Sequence, residues 1–166
     1  MITKLSDVKD IVRHAIENPQ QSFPIIKSLA NSKDWKEREV AASILLETGK
    51  KKPGPVIEEM LIWAENADPN IRRSASESLR GIARKKPELV LPILEKLKKD
   101  SDIYVKRSVA NVLRNAGNYH PDFILDVCKK WAHEGNSHTK WIIKDGLRKL
   151  KISHLNEVEK ILMISN

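Results

Sequence analysis

Cysteine occurs once in the 166 residues, at Cys128, so no internal disulfide can form. No CxxC or Cys/His cluster at metal-ligand spacing exists either, so no metal and no cofactor is expected, and a reducing, intracellular setting follows. Long hydrophobic runs are equally lacking. No window approaches the ~20 apolar residues of a membrane span, and Met1-Ile-Thr-Lys-Leu-Ser-Asp-Val8 carries no apolar core of a secretory signal. The expectation is a soluble, cytoplasmic protein without a membrane partner. Strand signals are absent and no Gly/Ser-rich linker interrupts the chain, so residues 1–166 are expected to form one domain. Acidic residues are in the minority, 22 Asp plus Glu against 30 Lys plus Arg, for a net charge of +8. That balance suits an anionic partner such as nucleic acid, although a charged content of 31% with 5% aromatics suits a solvated helical repeat as well.

What the chain does contain is a period. A step of 34 links Leu45, Leu79, Leu113 and Leu147 without a gap, and the same step links Asp34, Asp68, Asp102 and Asn136. The second set has short polar side chains that cap helix N-termini. A third column, Pro19, Pro53, Pro87 and Pro121, falls where the second helix of each unit begins, a position that tolerates proline. Periods of roughly 20 to 50 residues mark solenoids in which each unit buries its apolar face on its neighbours. The fold class predicted is all-α, a right-handed superhelical solenoid of about five helical pairs.

In the first unit Ser6 caps a helix to about Glu17, and a second helix runs from about Gln20 to Asn31. The second unit runs from Asp34 to about Thr48, turns through Gly49 to Pro53, and ends near Asn66. The third starts at Asp68, turns at Lys85-Lys86-Pro87 and ends near Lys99; the fourth starts at Asp102, turns through Gly117 to Pro121 and ends near Gly135. The last starts at Asn136, runs to about Leu150, and closes with a helix from about His154 to Ile164. Ile71, Ala75, Leu79 and their equivalents fall on one side of each first helix and form the core seam. Trp63, Trp131 and Cys128 lie in the apolar columns of the second helices, so both indoles and the thiol are expected to be buried.

Opposite the seam, three columns stack as ladders. Glu39, Arg73, Arg107 and Trp141 form one; Ser43, Glu77, Asn111 and Asp145 the next; Leu46, Arg80, Arg114 and Arg148 the third, so that five of twelve positions are arginine. Arg38, Arg72, Lys106 and Lys140 flank them, and Lys50, Lys51, Lys52, Lys85 and Lys86 add charge at the turns. Arginine grips phosphate through a planar fork, so this face suits a duplex backbone. With about five phosphates neutralised, log affinity should fall with a slope of about −4.5 in log salt. Ion pairing within the face, Arg73 with Glu77 for example, is the alternative. Trp141 is either exposed for stacking or packed under the C-terminal helix, and Trp35 is either a packing staple or a reader.

The stretches Ile71-Arg-Arg-Ser-Ala-Ser-Glu77, Tyr104-Val-Lys-Arg-Ser-Val-Ala-Asn-Val-Leu-Arg114 with His120-Pro121-Asp122, and Trp141-Ile-Ile-Lys144 leading into Leu147-Arg148 resemble the HEAT-like-repeat DNA alkylation repair family, the alkylpurine DNA glycosylases. The resemblance covers roughly residues 34–150. It implies a concave face on duplex DNA, a carboxylate and tryptophans at the lesion's deoxyribose, and an arginine on the backbone. In that family a tryptophan four residues before an aspartate recurs in the active site, and Trp35 to Glu39 has that spacing with glutamate in place of aspartate. The backbone arginine falls on Arg72 or Arg73, and an arginine followed by glutamate four residues later matches Arg73 and Glu77.

An alkylated purine is a cationic leaving group, so a carboxylate need only stabilise an oxocarbenium-like sugar and place water. Glu39 or Glu77 is the candidate, with the positive charge of Arg73 expected to help keep either ionised. Trp35, Arg38, Arg72, Arg73, Arg80, Lys106, Arg107, Arg114, Lys140, Trp141, Lys144 and Arg148 are the candidate DNA contacts. The chain departs from the family at Asn111 and Asn115, and is expected to lack N-terminal helices that help enclose DNA. The leading expectation is recognition of alkylated bases in duplex DNA with excision as the further step. The alternative is a non-catalytic scaffold with a protein partner, marked by an apolar groove or a convex ladder face.

Overall fold

The computed structural model describes residues 5–164, and every regular element within them is helical. α1 (Leu5–Glu17) pairs with α2 (Pro19–Ala30), α3 (Trp35–Lys51) with α4 (Pro53–Trp63), and α8 (Ile103–Gly117) with α9 (Pro121–Ala132). Between them, α5 (Pro69–Glu77) and α6 (Arg80–Ala83) precede α7 (Pro87–Leu97). The last unit holds α10 (Ser137–Gly146), a short 3-10 turn at Leu150–Ile152, and α11 (Leu155–Ile164). First helices pack on first helices, α3 on α5, α5 on α8 and α8 on α10, while α2 meets α4 and α4 meets α7. The result is the expected solenoid.

Local chemistry sets its register. The Asp34 carboxylate accepts the Lys36 N–H at 2.9 Å, Asp68 that of Asn70 at 2.7 Å, Asp102 that of Tyr104 at 2.8 Å, and the Asn136 side-chain oxygen that of His138 at 3.0 Å. Each satisfies an amide that the first turn would otherwise orphan, typically worth ~1 kcal/mol. Pro19, Pro53, Pro87 and Pro121 each open a second helix, where no amide hydrogen is needed. The cap expected at Ser6 rests on a side chain outside the described residues. Before Asn136, Gly135 takes a positive φ of 68°, which glycine adopts without strain.

The seam is the core. Leu45, Leu79, Leu113 and Leu147 are fully buried, as are Ala41, Ala75 and Val109. Trp63 and Trp131 are buried in the second-helix layer, with their indole N–H groups donating to Glu59 and Glu95 at 2.6 Å. Burial pushes the Cys128 thiol up to about 12, so it stays protonated and inert.

Three boundaries differ from expectation. The first helix of the third unit breaks after Glu77, where one continuous helix was predicted. Ser74, Ser76 and Ser78 donate back to the carbonyls of Asn70, Arg73 and Ala75 at 2.9 Å, and the Leu79 N–H bonds the Ser76 carbonyl, three residues back. Such back-bonds compete with the helical ladder and bend it. α8 keeps one serine of the three, with Ala110 and Val112 at the other two positions, and runs unbroken to Gly117. Residues 49–51, predicted as turn, finish α3, leaving Lys52 as the break before Pro53. α10 stops at Gly146, short of Leu150, where the chain tightens into 3-10 geometry.

Candidate functional site

Because Asp68, Asp102 and Asn136 start α5, α8 and α10 at equal phase, the ladder columns face the same way on three stacked helices. Between them lies a cleft of about 630 Å³, lined by Arg73, Glu77, Tyr104, Arg107, Ser108, Asn111, Arg114, Trp141, Asp145 and Arg148. Four guanidiniums, two carboxylates and two aromatic rings therefore share one polar depression.

One wall is an ion triad. Arg73 Nε donates to Glu77 Oε1 at 2.9 Å and its Nη2 to Glu39 Oε1 at 2.9 Å, bridging two units. Glu39 is exposed, whereas the Glu77 side chain retains 17% exposure. Burial pushes the Glu77 carboxyl above the usual range despite the opposing pull of Arg73. Arg73 does favour the ionised form of Glu77, as expected, but desolvation is the larger effect and the net direction is upward. Burial also acts to lower Arg73, yet the Glu77 and Glu39 charges leave it raised and cationic.

The other wall belongs to α10. Arg114 Nη1 donates to Asp145 Oδ2 at 2.8 Å and to the Asp145 main-chain carbonyl at 2.9 Å, and Arg148 Nη1 lies 3.8 Å from Asp145 Oδ1. Trp141, one turn earlier, is half-buried: it packs partly against the core while lining the cleft. Lys106 Nζ sits 5.5 Å from its ring centroid and 3.5 Å from His138 Nδ1. Arg107 stands over Tyr104, its guanidinium carbon 5.9 Å from the ring centroid, and has no carboxylate partner among the described residues.

The remaining candidates lie elsewhere. Arg38 Nη1 donates to the Ser32 and Lys33 carbonyls at 2.8 and 3.0 Å, and Arg72 Nη1 to those of Asn66 and Ala67 at 2.9 and 2.8 Å. Arg72 also binds Asp100 through Nε at 2.6 Å. These two arginines clamp the turns between units. Lys140 is half-buried on the first turn of α10, Lys144 is exposed beside the cleft, and Arg80 faces a neighbouring depression. Trp35 is 62% exposed on the first turn of α3 and, like Glu39, does not line the cleft.

Sequence reasoning missed Tyr104 and Asp145 as site residues. Asp145 had a usable signal: it follows Trp141 by four residues, the same spacing that was laid on Trp35 and Glu39. Four residues is one helical turn, so indole and carboxylate share a face of α10. Among the described residues no group of three or more His, Cys, Asp or Glu is placed to hold a metal, and no helix is long and apolar enough to cross a membrane.

The family of HEAT repeats matches residues 22–114. Among solved structures, the chain is similar to the Pseudomonas fluorescens alkylpurine DNA glycosylase AlkC bound to DNA containing an abasic site analog, with a TM-score of 0.77 and 23% identity over 93% of this chain and 44% of that one. At that identity the likeness is one of fold, and this chain spans less than half of the glycosylase's length. An engineered protein aligns over 95% of this chain and 86% of its own at 18% identity, but its TM-score of 0.41 carries no weight. No curated protein matches.

Proposed function

We propose that this chain, which belongs to the HEAT-repeat family, recognises alkylated purines in duplex DNA in the α5–α8–α10 cleft and excises them with Asp145 facing the sugar. The observation that carries this reading is the convergence of Trp141 and Asp145, one helical turn apart, with Arg107, Arg114 and Arg148 in one cleft. Likeness of fold to a DNA-bound alkylpurine glycosylase supports it.

The chemistry demanded is modest. An N3- or N7-alkylated purine leaves as a neutral base once the glycosidic bond breaks, and positive charge then resides on the deoxyribose. A fixed carboxylate stabilises that charge and orients water toward the anomeric carbon. Arg114 holds Asp145 through side chain and main chain together, which locks its direction. The indole of Trp141 offers its π-face to the same cationic sugar. Arg107 and the 70% exposed Arg148 reach phosphates on either side. In this arrangement Glu77 and Glu39 hold Arg73 in place and take no direct part in the chemistry.

The test is incubation with duplex containing N7-methylguanine or N3-methyladenine, scoring base release and binding separately. Asp145→Asn should lower single-turnover release by about 10²–10³-fold while binding survives. Wild-type binding without release would overturn the excision claim, and absence of binding at low salt would overturn the nucleic-acid reading.

A further inference from the structure

Beside the lesion cleft lies a second one, of about 510 Å³, at the end of the ladder face where α3, α6 and α8 meet. Its charged lining is Lys50, Arg80, Arg84 and Lys85, with Asn115 at the rim and no carboxylate among the lining residues. We infer that this second cleft is a seat for backbone phosphates of the bound strand, supplying affinity without reading the lesion. The inference rests on the nucleic-acid reading above and adds a site and a division of labour to it.

The two clefts differ in charge. The first has carboxylates in its lining, which pair Arg73 with Glu77 and Arg114 with Asp145. The second presents cations to the solvent. Lys50 pairs with Glu47 on its own helix, outside the cleft lining, and both side chains are more than 40% exposed. A concave set of cations with no carboxylate in its lining concentrates anions, and phosphodiesters are the anions a strand offers.

Its cations are also held in place. The guanidinium carbon of Arg84 lies 4.4 Å from the Tyr119 ring centroid, a stacked arrangement that leaves the edge N–H groups free for phosphate. Arg80 Nε donates to the Glu77 carbonyl at 3.3 Å. Gly81 makes the geometry possible: a β-carbon there would meet Lys50 Cγ at 3.0 Å and Leu46 Cδ1 at 3.4 Å, so glycine lets α6 close on α3 and brings Lys50 beside Arg80. The helix break after Glu77 starts α6 afresh at Arg80.

The clefts adjoin along two contacts. Asn115 Nδ2 donates to Asn111 Oδ1 at 3.0 Å, joining the rim of the second cleft to the lining of the first. Arg80, in the second, is bonded to the main chain of Glu77, in the first. A strand whose lesion lies by Asp145 thus finds the second cleft further along the same face. Phosphate contacts carry no information about the base, so the seat should serve damaged and intact DNA alike.

The experiment is fluorescence anisotropy with two fluorescein-labelled duplexes of one sequence, one intact and one carrying a tetrahydrofuran abasic-site analogue. The double variant Arg84→Gln/Lys85→Gln should weaken both equally, by about tenfold at low salt, and make the salt slope shallower by about 0.9 for each lost phosphate contact. Tyr119→Leu, which frees Arg84, should weaken both by a smaller common factor. Inorganic phosphate at constant ionic strength should displace neither duplex. Unchanged affinity and slope in a double variant that melts like wild type would overturn the seat, as would an altered ratio between the duplexes or displacement by inorganic phosphate. A wild type that binds both duplexes equally and releases no base would sink the proposed function while leaving the seat intact.

Discussion

Glu77 and Asp145 occupy one ladder column two units apart and line the same cleft, yet their surroundings give them different capacities. Glu77 ends α5 at a helix break, shares Arg73 with Glu39, and is pushed upward by burial. Asp145 lies within α10, is held by Arg114 from the neighbouring unit, and follows an indole by one turn. Asn111 between them carries no charge and hydrogen-bonds Asn115. A repeat thus places equivalent positions equivalently, while neighbours outside the column give them different surroundings. In the function proposed above, Glu77 is the structural counter-ion and Asp145 the working carboxylate.

The largest effect on stability that sharpens this contrast is at Arg73. Arg73→Ala leaves Glu77 without its bonded cation in a largely desolvated setting, and should lower unfolding free energy by about 1–3 kcal/mol in urea denaturation. Adding Glu77→Gln should restore most of the loss. A double variant no more stable than the single would remove Glu77 from its structural role. At the other wall, Trp141→Ala should slow base release more than it weakens binding to intact duplex, by an amount matching about 0.5–2 kcal/mol; equal losses would make the indole a packing residue.

Stability against pH probes the same wall with a defined sign. The Glu77 carboxyl lies above its unfolded value, so its contribution is fully present below the ordinary glutamate range and lost as pH rises through its folded value. The melting temperature of wild type relative to Glu77→Gln should therefore fall as pH rises through that window. Glu134 gives the opposite control: hydrogen bonding from Lys98 lowers it, so its contribution is present above the ordinary range and lost on acidification. Parallel trends for Glu77→Gln and Glu134→Gln, each measured against wild type, would contradict the assignment. The smallest effect is at Trp35, where Trp35→Ala at a mostly exposed position should change stability by no more than about 0.5 kcal/mol and leave base release unaltered.

Features fixed by short-range chemistry were readable before the fold was seen. The caps at Asp34, Asp68, Asp102 and Asn136, the four helix-opening prolines and the leucine seam all stand where a 34-residue step puts them. The break after Glu77 was hidden because it depends on three buried serines donating to main-chain carbonyls, a choice that composition does not reveal. Columns also located the ladder face but said nothing of pairing. Arg73 and Arg114 are engaged by carboxylates and Arg38 and Arg72 clamp turns, whereas Arg148 is 70% exposed and Lys144 is exposed beside the cleft. The tryptophan-to-carboxylate spacing occurs twice, and the cleft contains the second occurrence.

The claim that one column holds a structural carboxylate and a working one is tested most directly by single-turnover release of N7-methylguanine from duplex DNA, measured for Glu77→Gln and Asp145→Asn side by side. Asp145→Asn should fall by about 10²–10³-fold and Glu77→Gln by less than about tenfold, with both variants still binding the duplex. Equal losses, or a greater loss in Glu77→Gln, would contradict it.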